Sequence, residues 1–373
     1  MPDFALTSEQ ELLRNAARDF VQRECPLSEL RRMDREGIEF SRELWDKMAA
    51  LGWPGILVSK QYGGEGASLT DAAVLFEELG RGLLPSPLLS TIMCALLIDR
   101  AGVDGQRAEL LPAIARGERV VALACTEDNY GWSADHVHAT ATRRGDAYVI
   151  DGTKRFVADA GSADMLVVAA RTNETGLTLL LVDKSAAGVE VRPVRAWAGE
   201  TLYDVSLREV ANSPENVLGE IDRGWDALTP VLDIATALLC AYIAGAARRV
   251  YEISLGYAQR REQFGQPIAR FQRVQDHLID ILNHADAARW TAYHAIWQLE
   301  QDAPGAEEAV SVAKAAASDG FYQLCDAAHH VHGGIGSEKG YGLYLYTKAS
   351  RSLYHYLGSP AHHRRRIARL LRL

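Results

Sequence analysis

The hydrophobic periodicity of this 373-residue chain predicts a multidomain α+β protein: a helical block, a small β domain, then a helical bundle. Three observations carry that expectation. Apolar spacing is helical from Thr7 to about Gly102, becomes strand-like from about Val120, and turns helical again after Gly219. The expected boundaries are 1–117, 118–220 and 221–373.

In the first block, Ser8 with Glu11 predicts a capping box, and Leu12, Leu13, Ala16, Phe20 and Val21 follow as an apolar stripe. Gly63-Gly64-Glu65-Gly66 reads as a loop before a helix from Leu69 to Arg81, and Pro85 with Pro87 interrupts before the apolar stretch Leu88–Ile98. In the middle block, Tyr148–Ile150, Met165–Val168 and Leu177–Val182 read as strands. Gly145-Asp146, Asp151-Gly152 and Asn173–Gly176 read as the turns between them. No βαβ alternation is present, so a barrel or sandwich is expected and a doubly wound parallel sheet is not. Helices over about 225–261, 271–301 and 306–331 are long enough for an antiparallel bundle.

Composition narrows the function classes. A formal net charge of −9 argues against nonspecific nucleic-acid binding, which depends on phosphate neutralisation by Lys and Arg. Pro2, Asp3 and Ser8–Glu11 interrupt any N-terminal apolar leader, and no segment nears the ~18 uninterrupted apolar residues of a membrane span. Cys25, Cys94, Cys125, Cys240 and Cys325 are odd in number and never spaced as CxxC, which predicts reduced, buried thiols in a cytoplasmic protein.

Several motifs have plain readings. Gly63-Gly64-Glu65-Gly66 lacks the preceding strand and third glycine of a dinucleotide fingerprint. Gly333-Gly334-Ile335-Gly336 follows a helix, and is either loop punctuation or a place where backbone approaches a ligand closely. His329, His330, His332, His355, His362 and His363 have no acid or cysteine at ligand spacing, so no metal is expected. Arg364, Arg365, Arg366, Arg369 and Arg372 read as a solvated last helix, its cations matching the dipole.

Other segments resemble a known family in order and spacing over nearly the whole chain. They are Leu51-Gly52-Trp53, Tyr62–Gly66, Glu77-Glu78-Leu79-Gly80-Arg81, Thr126-Glu127, Gly145-Asp146-x-Tyr148 with Gly152-x-Lys154, and Phe271-Gln272-x-x-Gln275. To these add Arg260-Arg261-Glu262-Gln263-Phe264-Gly265, read as a helix opening, and His332-Gly333-Gly334-x-Gly336. Together they resemble the acyl-CoA dehydrogenases. The resemblance implies an α-helical N-domain, a middle β-domain and a C-terminal antiparallel four-helix bundle. It also implies FAD as cofactor, an acyl-CoA thioester as substrate and an electron-transfer flavoprotein as acceptor.

The family's reaction needs a carboxylate to remove the α-proton while a hydride leaves the β-carbon for the flavin. The two positions that house this base are implied to be Leu357 and, on the first bundle helix, Ala235. Neither can accept a proton. Asp233 is the nearest carboxylate; recruiting it needs a two-residue register shift, and it otherwise reads as a polar residue near the helix start. Gly131-Trp132-Ser133 puts a bulky ring where the family has a small turn, and Phe156-Val157-Ala158 lacks the hydroxyl usually beside the flavin.

The residues that the resemblance gives to a neighbouring subunit's flavin are retained: Arg261, Gln263, Phe264, Phe271, Gln272, His330, Gly333 and Gly334. The expectation is therefore an enzyme subunit that lacks its own base and completes the FAD site of a homologous catalytic partner. An α2β2 steroid side-chain acyl-CoA dehydrogenase fits that description. The alternatives are a homotetramer using Asp233, a flavin-free scaffold of the same fold, and, more remotely, nucleic-acid binding by the terminal arginines.

Overall fold

The computed structural model describes residues 5–38, 40–195 and 201–373; Pro2 and Asp3 lie outside them. The helices are α1 (Ser8–Glu24), α2 (Leu27–Glu36), α3 (Arg42–Ala50), α4 (Leu69–Arg81), α5 (Leu88–Ala101) and α6 (Asp104–Ala115). Strands follow: β1 (Val121–Ala124), β2 (Thr140–Arg144), β3 (Ala147–Val157), β4 (Met165–Arg171), β5 (Leu177–Asp183), β6 (Val189–Arg195), β7 (Thr201–Asn212) and β8 (Val217–Leu218). Then come α7 (Gly224–Arg260), the hairpin β9 (Glu262–Gln263) and β10 (Gln266–Pro267), α8 (Gln272–Glu300), α9 (Ala306–His332), α10 (Leu343–His355) and α11 (Pro360–Leu370). The α, β, α order matches the periodicity.

Contacts divide the chain into two compact units that run across the expected segments. One unit combines α1, α2, α4, α7 from Thr236 onward, and everything after it. Its helices are joined at close backbone crossings. A Cβ on Gly80 of α4 would stand 1.8 Å from the Tyr242 carbonyl oxygen, and one on Gly245 of α7 would stand 1.7 Å from that of Glu77. Only glycine permits this approach. The neighbouring acids tie α4 to two further helices: Glu77 accepts from Arg289 Nε (2.9 Å) and the Tyr293 hydroxyl (2.6 Å) of α8. Glu78, buried, takes both ends of the Arg18 fork at 2.9 and 2.6 Å.

The other unit holds α3, α5, α6, the sheet and residues 224–235 of α7. Its strands run in the order β6-β7-β3-β2-β4-β5-β8, with β1 added in parallel to β4. Most pairs are antiparallel, so the sheet is mixed. The Asn173 turn forms as expected, its side chain accepting from the Thr175 and Gly176 amides at 2.9 and 2.6 Å.

Four local expectations need correction. The first cap is Thr7 with Gln10, one residue earlier, because Thr7 holds extended backbone while Ser8 is already helical. Asp151-Gly152 is a bulge inside β3 and not a turn; the register shifts there, and Gly152 (φ 146°) leaves room for Ala139. Arg260–Gly265 closes α7 and forms a hairpin, so it is no helix opening. Asp233 lies well inside α7, which starts at Gly224, so it is not a capping residue.

All five cysteines are free and buried. Among the described residues, α7 is long and apolar enough by composition to cross a membrane, and about two-thirds of that stretch is buried within the protein.

Candidate functional site

The residues expected to reach a neighbour's cofactor meet at one end of the first unit. α8 and α9 pack as long partners, and the His277 and His330 rings stack at 5.3 Å near their ends. Tyr257, in the last turn of α7, stacks on His332 at 4.6 Å; His332 also bonds the Ala328 carbonyl (2.8 Å) and the Tyr341 hydroxyl (3.0 Å). The end of α7, the start of α8 and the end of α9 are thus tied together. The hairpin β9–β10 projects from this junction with Phe264 at its tip, left-handed at φ 55° and 91% exposed. Phe264 sits edge-to-face with Phe271 at 6.0 Å.

Arg261, Gln263, Gln272 and His330 are exposed around it. Arg261 forms no ion pair among the described residues, and the Gln263 side-chain amide donates to the adjacent Glu262 carbonyl at 2.9 Å. Gly333 (φ 62°) and Gly334 have open space where a Cβ would stand, so backbone is presented bare to solvent. A guanidinium fork, exposed aromatic edges and uncovered glycine backbone suit a phosphate-bearing aromatic cofactor such as FAD. The residues fit that group.

The position implied for the base is apolar and fixed. Leu357 follows α10, is 3% exposed and sits in left-handed backbone at φ 56°, a conformation that costs a non-glycine residue about 1 kcal/mol. Its carbonyl accepts from His363 Nε2 at 2.9 Å, and Gly358 (φ 102°) and the Ser359 cap of α11 complete the turn. Burial pushes the His363 imidazole down to about 3, so it stays neutral. In the other unit, Asp233 is 5% exposed and engaged with the surrounding protein, and Ala235 is buried too.

The middle segment holds an aromatic cluster that the sequence showed only in part. Tyr130 stands edge-on to Trp132 at 5.9 Å and to Phe156 at 5.5 Å, while Arg155 lies 5.4 Å from the Phe156 ring centroid. Tyr130 (φ 51°) and Phe156 (φ 56°) are both left-handed. Trp132 was legible as bulk; Tyr130 and Arg155 were missed because their link to it runs between loop and strand. Ala158 is half-buried.

The retained Glu127 and Lys154 are a structural pair. Lys154, wholly buried, reaches Glu127 Oε1 at 2.7 Å, and the same carboxylate accepts from the His138 and Ala139 amides at 3.0 and 2.9 Å. Burial opposes the Glu127 charge, but Lys154 and the backbone donors outweigh it and hold the carboxyl below its ordinary range.

Comparison with known proteins agrees with this architecture. Family models for the acyl-CoA dehydrogenase N-terminal, middle and C-terminal domains match residues 7–118, 122–210 and 222–371. The chain is 31% identical over 353 residues to the 3-(aryl)acrylate reductase of Clostridium sporogenes, covering 90% of this chain and 91% of that protein. It is similar in structure to a variant of the Tcur3481-Tcur3483 steroid ACAD, with TM-score 0.87, 30% identity and 98% of each chain covered. It is also similar to the ChsE4-ChsE5 complex from Mycobacterium tuberculosis, with TM-score 0.90, 25% identity, and 100% and 99% covered. The three matched domains define an FAD-dependent oxidoreductase class. The chain belongs to the acyl-CoA dehydrogenase family.

Proposed function

We propose that this chain is the subunit of a heteromeric acyl-CoA dehydrogenase that lacks the base and completes the FAD site of a homologous catalytic partner. The observation that carries the reading is Leu357, a buried aliphatic residue at the implied base position, set against the intact exposed junction around Phe264. A leucine cannot take the α-proton of a thioester, whatever its placement. The fixed guanidinium of Arg261 would hold the partner's FAD pyrophosphate. Phe264, Phe271, Gln263, Gln272 and His330 would contact the rest of its ADP half, with Gly333 and Gly334 allowing close backbone approach. Bound FAD supplies the two-electron redox chemistry.

The partner provides the carboxylate, the substrate is an acyl-CoA thioester, and an electron-transfer flavoprotein accepts the electrons. A steroid side-chain thioester is the favoured substrate, supported by the likeness to the Tcur3481-Tcur3483 steroid ACAD, and the likeness to the ChsE4-ChsE5 complex supports a two-component assembly. The test is the flavin-to-protein ratio of this chain alone and co-expressed with a homologous dehydrogenase subunit. An empty chain that gains about one flavin per heterodimer supports the reading. Full loading and turnover by this chain alone would reject it in favour of a homotetramer.

A further inference from the structure

Beneath the Leu357 turn lies a buried cation that forms no salt bridge among the described residues. Lys314 of α9 has 0% exposure, and its ammonium donates to Ser318 Oγ (2.7 Å), the Leu353 carbonyl (3.0 Å) and the Tyr354 carbonyl (3.3 Å). Its three protons thus meet three neutral acceptors, two of them carbonyls of the last turn of α10 that the helix leaves unsatisfied. It forms no ion pair among the described residues; the Asp319 carboxylate and the negative end of the α10 dipole favour its charge against the cost of burial. Two residues on, Leu357 is held in left-handed backbone, its carbonyl fixed by His363.

We propose that Lys314 is the positioning residue of the turn that carries Leu357, holding the end of α10 from inside the helical unit, so that opening the turn and hydrating Lys314 are one event. The clamp acts whether or not residue 357 is an acid, and so does not rest on the partner-subunit reading.

The groups facing Lys314 are Cys240 of α7, Ser318 and Asp319 of α9, Tyr354 and His355 of α10, and His363 of α11. Burial raises the Cys240 thiol to about 12 and raises Tyr354; it lowers His355 and takes His363 to about 3. Asp319 is bound by Tyr354 and paired with Arg364. Burial lowers Lys314 itself from 10.5 to about 8. Among these shifted groups only Lys314 changes charge between pH 8 and 10. The open turn, with its lysine hydrated, therefore binds more protons than the closed turn in that window. Opening becomes harder as pH rises from about 8 toward 10.5, and is insensitive to pH below about 8.

The test is amide hydrogen exchange of the 353–359 segment in the full chain between pH 7 and 10, corrected for the intrinsic base-catalysed rate. The Gly358 amide, bonded to the His355 carbonyl at 3.1 Å, is the reporter. Protection should be flat to about pH 8 and then rise by up to about tenfold per pH unit. Lys314→Met should abolish the rise. A wild-type slope equal to that of Lys314→Met overturns the proposal. Should Lys314→Met fail to fold, the β9–β10 hairpin serves as the internal control. A slope at Gly358 but not in the hairpin supports the clamp, and equal slopes reject it.

Discussion

The imidazoles of His277 and His330 lie 5.3 Å apart with planes 12° from parallel, joining the second turn of α8 to the last turn of α9. His330, 69 positions from Arg261 in the chain, is thereby brought to the same end of the helical unit. The exposed cluster is a product of how the helices end, and the Arg261 side chain forms no ion pair that holds them there among the described residues.

That separation makes Arg261→Ala informative. The side chain is exposed and unpaired within the described residues, so unfolding free energy should change by less than about 0.5 kcal/mol. In the co-expressed complex, visible absorbance should show flavin lost. Flavin content equal to wild type would remove Arg261 from the proposed cofactor contacts.

Asp233→Asn tests the displaced-base alternative. The turnover of the complex should stay within about twofold of wild type, since general-base removal costs about 10²- to 10⁴-fold. A drop of that larger size, with flavin retained, would make Asp233 catalytic and return the chain to the homotetramer reading.

The glycine crossing predicts a large stability effect far from any cofactor contact. Gly80→Ala or Gly245→Ala forces a Cβ to within 1.8 Å of a backbone oxygen that no rotamer change can move. Each should cost about 3 kcal/mol or abolish soluble expression, read from the urea midpoint. An unchanged midpoint would mean that α4 and α7 can slide apart at little cost.

Glu127→Gln should destabilise by about 3 kcal/mol near neutral pH, because Lys154, whose pKa burial already lowers, must then either hold an unpaired charge or give up its proton in a site with no exposure. The folded-state pKa of Glu127 is depressed, so its stabilisation is present above its ordinary value of 4.5 and lost as pH falls through the lower folded value. Urea midpoints from pH 7 down to 3 should therefore converge for wild type and variant in acid. Parallel curves would show that the pair contributes no acid-labile stability.

Much of the fold was legible because the hydrophobic period reports which face of each element is buried. α8 and α9 begin and end within about one residue of their periodicity. The errors fell where one residue's backbone angle decides the outcome. Gly152 was expected in a turn but sits in a bulge, since the same glycine serves both and only pairing to β7 distinguishes them. Asp233 suited a helix start by residue type, yet nine earlier residues are already helical.

The candidate site divides the same way. Leu357 could be judged from chemistry alone, because an aliphatic side chain has no proton-accepting atom. Lys314 gave a weaker signal: a lone lysine between Ala313 and Ala315 in an apolar helical run. Its two carbonyl acceptors lie 39 and 40 residues on, at the end of another helix.

The sequence by itself determined the order of the helical and strand blocks, the family, and the absence of an acid at position 357. Those are properties of residue type and spacing along one dimension. Only the tertiary structure decided that Glu77 and Glu78 tie α4 to α8 and α1, that Glu127 neutralises Lys154, and that Lys314 closes α10. Each depends on which buried charge or bare carbonyl meets which partner, and burial without a partner is too costly for that choice to be left to local sequence.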